Sequence, residues 1–192
     1  MKKSYADFLL VSDMDGTLLN SDKVVSAENR AAIADFVAGG GRFAIATGRP
    51  AENAAGYLRE VPVNSPGIFF NGAILYDWRT AQLLSACPLE GRLWREFAAH
   101  CLERFPKACV EVYTVDTCHI VSAPANDDPR LAVEYKGGCR HSSLAETAEL
   151  EWMKFLICAP HAMLEEAVEE AEIFGITEVC SHFYSEPEYL EF

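Results

Sequence analysis

Short apolar runs alternate with helix-forming segments along the first part of the chain. Residues 7–11, 42–46 and 67–70 are short and largely apolar, which predicts strands buried in a parallel sheet. Residues 26–38 and 50–58 lie between these strands, begin with a capping serine and a proline respectively, and predict helices. This β-α-β-α-β order calls for right-handed crossovers, and it therefore predicts an α/β fold with a parallel sheet.

The pattern changes after residue 80. Apolar side chains recur every four residues from Leu89 to Phe105, which predicts an amphipathic helix. Residues 109–114 and 118–122 are predicted to form the two strands of a hairpin, and residues 124–143 a loop. Residues 152–159 are predicted to form a strand, residues 161–174 a helix, and residues 178–184 and 188–192 two final strands. Helices beside antiparallel strands form a separate α+β module. We therefore predict a first domain over residues 1–80 and a second domain over residues 81–192.

Charge is distributed unevenly along the 192 residues, whose net charge is −13. Residues 1–80 hold 8 basic and 9 acidic side chains, whereas residues 81–192 hold 8 basic and 20 acidic ones. Binding to nucleic acid depends on neutralising phosphates with Lys and Arg, and anionic membrane surfaces attract the same cationic side chains. The composition therefore argues against nucleic acid and against a membrane surface as partners.

The apolar runs and the cysteines indicate a location. No apolar run reaches the roughly 18 residues that a membrane span needs. The start of the chain, Met1-Lys2-Lys3-Ser4, lacks the long apolar segment of a signal peptide, so we expect a cytoplasmic protein. The seven cysteines include no C-x-x-C pair, which is typical of thiols in a reducing compartment. A metal site built from Cys118, His119 and distant partners is the alternative interpretation.

Two acidic residues stand two positions apart where the first predicted strand ends. Asp13 and Asp15 lie in the segment Ser12-Asp13-Met14-Asp15-Gly16-Thr17, directly after an apolar run. Gly16 permits a sharp turn there, and Thr17 adds a hydroxyl group. Chemistry in open α/β sheets gathers at the carboxyl ends of the strands. Two carboxylates at that place can hold a divalent cation, and they can divide nucleophilic attack and proton transfer between them.

This D-x-D-G-T segment resembles the first motif of the haloacid dehalogenase superfamily of phosphohydrolases. The next strand leads into Thr47-Gly48-Arg49-Pro50, which is similar to the second motif of that superfamily. Together with Phe70-Asn71-Gly72-Ala73, the chain resembles the Cof-like branch, whose members carry a type IIB cap. The resemblance implies a partial Rossmann-like core with an inserted α+β cap domain.

The resemblance also implies residue roles. Asp13 is expected to be the nucleophile that forms an aspartyl-phosphate, while Asp15 protonates the leaving group and then activates water. Mg²⁺ is expected to bridge the Asp13 carboxylate, the Asp15 backbone carbonyl and the phosphate, which makes Asp13 and Asp15 the metal residues. The substrate is expected to be a small phosphorylated metabolite such as a sugar phosphate. The expected phosphate- or substrate-binding residues are Met14, Gly16, Thr17, Thr47, Gly48, Arg49, Asn71 and Gly72. For Arg49 a surface ion pair is an alternative role, and for Asn71 and Gly72 a structural turn.

The third and fourth motifs of the superfamily, a lysine and an acidic loop, have no counterpart before Phe192. We therefore expect a truncated form with little or no activity of its own. The strands that flank the first strand in the superfamily are absent with these motifs, so we expect residues 7–11 to form an exposed apolar edge through which the chain associates with itself. Two alternative functions remain: a non-catalytic phosphate-binding or assembly module and, more weakly, a phospho-accepting receiver domain.

Overall fold

The computed structural model describes residues 4–134 and 139–192, without the side chains of residues 132–134. The chain forms two compact units, one ending at Cys87 and one beginning at Pro88. The domain boundary predicted after residue 80 falls inside a hairpin whose two strands both belong to the first unit.

A parallel arrangement of three strands organises the first unit, as the alternation of strands and helices predicts. Strand β1 (Leu9–Ser12) pairs in parallel with β2 (Arg42–Ile45), and helix α1 (Ala27–Ala38) connects them. A parallel bridge between Ala46 and Ile68 joins β2 to β3 (Gly67–Phe69). The side chain of Ser26 caps α1 by accepting a hydrogen bond from the Asn29 amide at 3.1 Å. Helix α2 (Ala51–Tyr57) lies between β2 and β3 in sequence.

The first unit continues into a hairpin that the sequence pattern does not predict. Strand β4 (Ile74–Asp77) pairs antiparallel with both β3 and β5 (Gln82–Ala86). Its turn lacks an Asn-Gly or Asp-Gly pair, the usual signal for a hairpin. The Asp77 carboxylate forms the turn instead, because it accepts hydrogen bonds from the Arg79 amide at 2.9 Å and from the Arg79 guanidinium group at 2.7 and 3.0 Å.

Strand β1 is exposed, and the prediction that it is buried is wrong. Leu9, Leu10 and Val11 are 52%, 46% and 44% exposed, and Phe8 before them is 61% exposed. Among the described residues, β1 has β2 as its only neighbouring strand. A strand of a parallel sheet becomes buried when both its edges and both its faces are covered. The structure thus confirms the exposed apolar edge that the resemblance implies.

A six-stranded sheet forms the centre of the second unit, with the strand order β10-β11-β9-β6-β7-β8. The strands are β6 (Cys109–Tyr113), β7 (Cys118–Ile120), β8 (Cys139–His141), β9 (Lys154–Cys158), β10 (Phe183–Glu186) and β11 (Tyr189–Glu191). The helices are α3 (Gly91–Arg104), α4 (Pro129–Glu134), α5 (His161–Ile173) and α6 (Ile176–Val179). Alternate residues of the central strands pack with apolar residues of α3 and α5 in one core that includes Val110, Val112, Phe155, Ile157, Leu190, Trp94, Phe97 and Leu164.

Two predictions for the second unit are wrong. The loop predicted over residues 124–143 contains a 3-10 turn (Pro124–Asn126), α4 and β8, although Gly137 and Gly138 lie outside the described residues. The Asp128 side chain starts α4 by accepting the Arg130 amide at 2.9 Å, and pairing with β7 defines β8. The strand predicted over residues 178–184 is partly α6, and β10 begins only at Phe183.

Buried charged side chains stand among the other residues of the central strands. Glu111 is fully buried and accepts a hydrogen bond from the Tyr113 hydroxyl group. Lys154 pairs with Glu191 at 2.7 Å. Arg130 pairs with Asp128 at 3.0 Å, with its Nη2 3.9 Å from Glu111 Oε1. We call these six residues the buried charged cluster.

No helix in the described part of the chain is long and apolar enough to cross a membrane.

Candidate active site

The turn after β1 carries the two predicted carboxylates. Met14 between them is fully buried, and its backbone carbonyl accepts hydrogen bonds from the Leu18 and Leu19 amides at 3.1 and 2.8 Å. Gly16 adopts a φ of +71°, so the chain turns back at that point. The Asp13 side chain is exposed and accepts a hydrogen bond from the Thr17 hydroxyl group at 3.3 Å. This turn presents carboxylate oxygens at the carboxyl end of β1.

The second motif lies at the carboxyl end of the neighbouring strand. Thr47 is buried and lies two residues after the end of β2, with its amide donating to the Ile68 carbonyl at 3.0 Å. The Thr47 hydroxyl group accepts a hydrogen bond from the Arg49 amide at 3.2 Å. The parallel register of β1 and β2 places this turn beside the turn that carries Asp13 and Asp15.

Arg49 joins the two motifs directly. Its Nε lies 2.6 Å from Asp15 Oδ2, and its Nη2 lies 2.9 Å from Asp15 Oδ1, which is a bidentate ion pair across 34 residues of sequence. Arg49 is buried, with 8% of the residue exposed, and its guanidinium group donates to Asn53 Oδ1 at 2.6 Å and lies over the Tyr57 ring. The ion pair of Arg49 is therefore part of the site and not a contact on the outer surface.

The contacts of Asp15 determine its charge. Hydrogen bonds from Arg49, helped by a hydrogen bond from Lys23, lower the pKa of Asp15 to about 2, although partial burial acts in the opposite direction. The carboxyl group is therefore ionised at neutral pH. Its two oxygens accept hydrogen bonds from cationic donors.

Lys23 also belongs to the site, although no sequence motif points to it. Its Nζ lies 2.8 Å from Asp15 Oδ1, and its backbone φ is +58°. Asn20 holds the loop, because its side-chain oxygen accepts the Asp22 and Val24 amides at 3.0 and 3.1 Å. The turn-forming residues Asn20, Ser21 and Asp22 were the available signal for a loop, but no pattern in the sequence connects that loop with Asp15.

Gly48 and Asn71 lie against each other. A Cβ atom on Gly48 would stand 2.5 Å from Asn71 Oδ1, so only glycine fits without displacing that side chain. The Asn71 amide donates to the Thr47 carbonyl at 3.3 Å. Phe70, Asn71 and Gly72 have φ values of +49°, +55° and +111°, which makes this segment a tight turn between β3 and β4. Asn71 and Gly72 thus form a structural turn that also borders the second motif.

The donor atoms near Asp13 suit a magnesium ion. Mg²⁺ prefers oxygen ligands, and proteins often supply only one or two carboxylates beside water and substrate phosphate. The exposed Asp13 carboxylate and the Asp15 backbone carbonyl are donors of this kind. The Asp15 carboxylate fits less well, because it already contacts two cations. Within residues 4–134 and 139–192, no three or more His, Cys, Asp or Glu side chains group as a metal site, which also leaves the Cys118–His119 alternative without a ligand set.

Comparison with known proteins identifies the family. The sequence model of the haloacid dehalogenase-like hydrolases matches residues 10–192. The chain belongs to this family. A solved haloacid dehalogenase-like hydrolase from Bacteroides thetaiotaomicron is 25% identical, with a TM-score of 0.78 over 98% of this chain and 70% of that protein. The subclass IIB sugar phosphatase BT4131 shares the fold at 16% identity, with a TM-score of 0.76 over 96% of this chain and 68% of that protein.

Curated relatives match over a shorter stretch. The Bacillus subtilis protein YwtE, a 5-amino-6-(5-phospho-D-ribitylamino)uracil phosphatase, is 34% identical over 122 residues, which are 64% of this chain and 40% of YwtE. The matched stretch therefore spans less than half of that relative. The family match and the solved structures confirm an α/β core with a cap-like second unit, as the sequence predicts.

Proposed function

We propose that this chain carries the nucleophile and the phosphate-binding turns of a magnesium-dependent phosphohydrolase that acts on small phosphorylated metabolites such as sugar phosphates. The observation that supports this most directly is the ion pair between Asp15 and Arg49, because it brings the first and second motifs together at the ends of β1 and β2. Relatives named as phosphatases, among them one for a phosphorylated ribityl compound and one for sugars, support the class of substrate.

In this proposal Asp13 is the nucleophile. Its exposed carboxylate attacks the phosphorus atom of the substrate, the ester P–O bond breaks, and an aspartyl-phosphate forms. The Thr17 hydroxyl group holds Asp13 Oδ2 by a hydrogen bond at 3.3 Å, which leaves the other carboxylate oxygen to attack. Thr47 and the Gly48 amide stand at the neighbouring strand end, where they offer hydrogen bonds to phosphate oxygens.

Asp15 handles the protons in both half-reactions. In the first, its carboxyl group gives a proton to the departing alkoxide; in the second, its carboxylate takes a proton from water, which attacks phosphorus and releases Asp13 and inorganic phosphate. The ionised state that Arg49 favours suits the second half-reaction. The first requires Asp15 to gain a proton and to loosen the Arg49 contact, so we expect the first half-reaction to be slow in this arrangement.

Asp13 and the Asp15 backbone carbonyl would hold the magnesium ion. Bound there, Mg²⁺ supplies positive charge that stabilises the phosphate oxygens as the P–O bonds change. The cytoplasmic location stays a prediction from the sequence.

A stable mimic of the aspartyl-phosphate tests this proposal. Beryllium fluoride binds an aspartate in the geometry of the phosphoryl group, and ¹⁹F NMR detects it on the protein. We expect a magnesium-dependent bound signal in the wild-type chain and none in Asp13→Asn. We also expect slow, magnesium-dependent phosphate release from sugar phosphates, lost in the same variant. A bound signal that persists in Asp13→Asn would overturn the assignment of the nucleophile.

The same experiment separates the alternative function. A non-catalytic phosphate-binding module would bind inorganic phosphate but would release no phosphate from a phosphomonoester. It would also show no beryllium fluoride signal that depends on Asp13.

A further inference from the structure

The loop that carries Lys23 is a tight hairpin turn. Leu19 and Val25 form an antiparallel bridge, and the Asn20 amide donates to the Val24 carbonyl at 3.0 Å. The Lys23 amide donates to the Asn20 carbonyl at 2.9 Å, which closes the turn. The loop is therefore held by its own hydrogen bonds, independently of the lysine side chain.

Lys23 occupies a backbone position that favours glycine. Its φ of +58° is left-handed, and in hairpin loops of this kind a glycine usually takes the left-handed place. Side chains with a Cβ atom are disfavoured there. A residue kept in a disfavoured conformation next to a candidate active site is a reason to look for a function of its side chain.

The Lys23 side chain reaches a carboxylate that already has a cationic partner. Asp15 Oδ1 accepts hydrogen bonds from Arg49 at 2.9 Å and from Lys23 at 2.8 Å, while Oδ2 accepts a second one from Arg49 at 2.6 Å. The bidentate contact with Arg49 is enough to balance the charge of Asp15. The positive charge of Lys23 is therefore available to a further anion.

We propose that Lys23 binds a phosphate oxygen of the substrate on the side of Asp15, an inference that rests on the proposed function. The charges of Asp13, Asp15, Lys23 and Arg49 cancel, so a magnesium ion and a dianionic phosphate together leave the site neutral. Removing Lys23 leaves an excess negative charge that opposes phosphate binding. With the Lys23 side chain half exposed and only one contact needed to hold it to Asp15, its remaining donor hydrogens can point toward a bound phosphate.

The alternative is an ordinary surface ion pair. Exposed pairs contribute little to stability, and a lysine that served only to pair with Asp15 would gain nothing from a disfavoured backbone conformation. The two interpretations differ for Lys23→Gly, because glycine relieves the backbone conformation and removes the cation at the same time.

Calorimetric titration with inorganic phosphate in the presence of magnesium tests the inference. We expect Lys23→Met to weaken phosphate binding about tenfold, as for loss of one charged hydrogen bond, and Lys23→Arg to retain most of it. Lys23→Gly should weaken binding to the same degree while keeping a melting temperature at least as high as that of the wild type. Lys107→Met, which removes an exposed lysine of the second unit, is the matched control and should change neither quantity.

The outcomes separate the inference from the proposed function. Equal phosphate binding by the wild type, Lys23→Met and Lys23→Gly would overturn the role of Lys23 and leave the role of Asp13 to the beryllium fluoride experiment. Absence of saturable phosphate binding in the wild type would overturn both the role of Lys23 and the phosphate-binding turns. A melting temperature of Lys23→Gly well below that of the wild type would show that the lysine serves stability instead.

Discussion

At the scale of single residues, Arg49 determines how the two motifs act together. Its guanidinium group fixes both oxygens of Asp15 and is itself held by Asn53 and by the Tyr57 ring of α2. Orientation of this kind requires the planar, bidentate guanidinium group, which a lysine does not provide. The sequence left Arg49 between a substrate contact and a surface ion pair, and the structure shows an ion pair within the site in which the Arg49 side chain is 9% exposed and the Asp15 side chain is 38% exposed.

The contact between Gly48 and Asn71 predicts how one added methyl group at residue 48 affects binding and stability. Gly48→Ala places its Cβ 2.5 Å from Asn71 Oδ1, so the Asn71 side chain, which lies on the tight turn at residues 70–72, has to move. We expect phosphate binding to weaken and the free energy of unfolding to fall by about 1 kcal/mol, the lower end for overpacked sites, because the clash is with the end of a side chain. Chemical denaturation and calorimetric titration with phosphate measure the two effects.

Gly56→Ala is the matched control for this substitution. Gly56 lies in α2, and a Cβ atom there meets no other atom within 4 Å. Alanine favours the helix over glycine by roughly 0.5–1 kcal/mol, so the control should stabilise the chain and leave phosphate binding unchanged. Equal stabilisation by both substitutions would show that Gly48 is not needed for the close approach.

Residue patterns predicted the strand-end positions of Asp13, Asp15 and Thr47, because an apolar strand followed by a turn is a local signal. No local signal of this kind predicts that Lys23 belongs to the site. Its place in the site depends on a left-handed backbone and on a contact across eight residues, and neither leaves a pattern in the sequence. The contact between Gly48 and Asn71 depends in the same way on tertiary structure.

At the scale of secondary-structure elements, β6 carries alternating residues with opposite chemistry. Val110 and Val112 belong to the apolar core with the helices, while Glu111 and Tyr113 point away from it into the buried charged cluster. Burial raises the pKa of Glu111 to about 7, against the hydrogen bond from Tyr113 and the charges of Arg130 and Lys154, whereas the nearby Asp128 adds to the rise. The stability of this element is therefore linked to pH.

The direction of that link follows from the raised pKa. Between about 4.5 and 7 the folded chain binds the Glu111 proton more tightly than the unfolded chain does, so stability falls as the pH rises through this range. The loss reaches up to about 3 kcal/mol above pH 7, from about 1.4 kcal/mol per pKa unit. We expect Glu111→Gln to remove most of this dependence, measured by chemical denaturation from pH 5 to pH 8.

Glu149→Gln is the control, because it makes the same chemical change at an exposed side chain of the second unit. It should keep the pH dependence of the wild type. If Glu111→Gln and the wild type lost stability in parallel as the pH rose, Glu111 would not be the group responsible.

Some elements form because of contacts between residues that are distant in sequence. The α5 helix and the β6–β7 hairpin carry strong local patterns and were predicted, whereas β8 exists because its three residues pair with β7. The β4–β5 hairpin has a turn built by Asp77 and Arg79 and no standard turn sequence. Sequence periodicity therefore predicts the long elements well and misses short strands that depend on a partner.

At the scale of the whole molecule, β1 is a strand whose apolar side chains and outer backbone edge are left uncovered by the other described residues. Its apolar side chains are about half exposed, and the edge that faces no other strand of the described residues presents backbone groups that can pair with another strand. The solved haloacid dehalogenase-like hydrolase from Bacteroides thetaiotaomicron matches this chain over 70% of its own length. The edge of β1 lies within the unit that holds the proposed nucleophile.

Self-association through β1 is the prediction that follows for the whole chain. Two copies that pair along β1 would bury Leu9, Leu10 and Val11 and satisfy the free backbone groups, so we expect the weight-average mass to rise with concentration in multi-angle light scattering. Leu10→Lys places a charge on the edge and should keep the chain monomeric. Ile173→Lys changes an equally apolar side chain that is 78% exposed at the end of α5, and it should associate like the wild type. A wild-type mass that stays monomeric up to the highest concentration, or equal suppression of association by both lysines, would show that β1 is not the contact. Only Leu10→Lys lies on a strand that has β2 on one edge and no other strand of the described residues on the second edge.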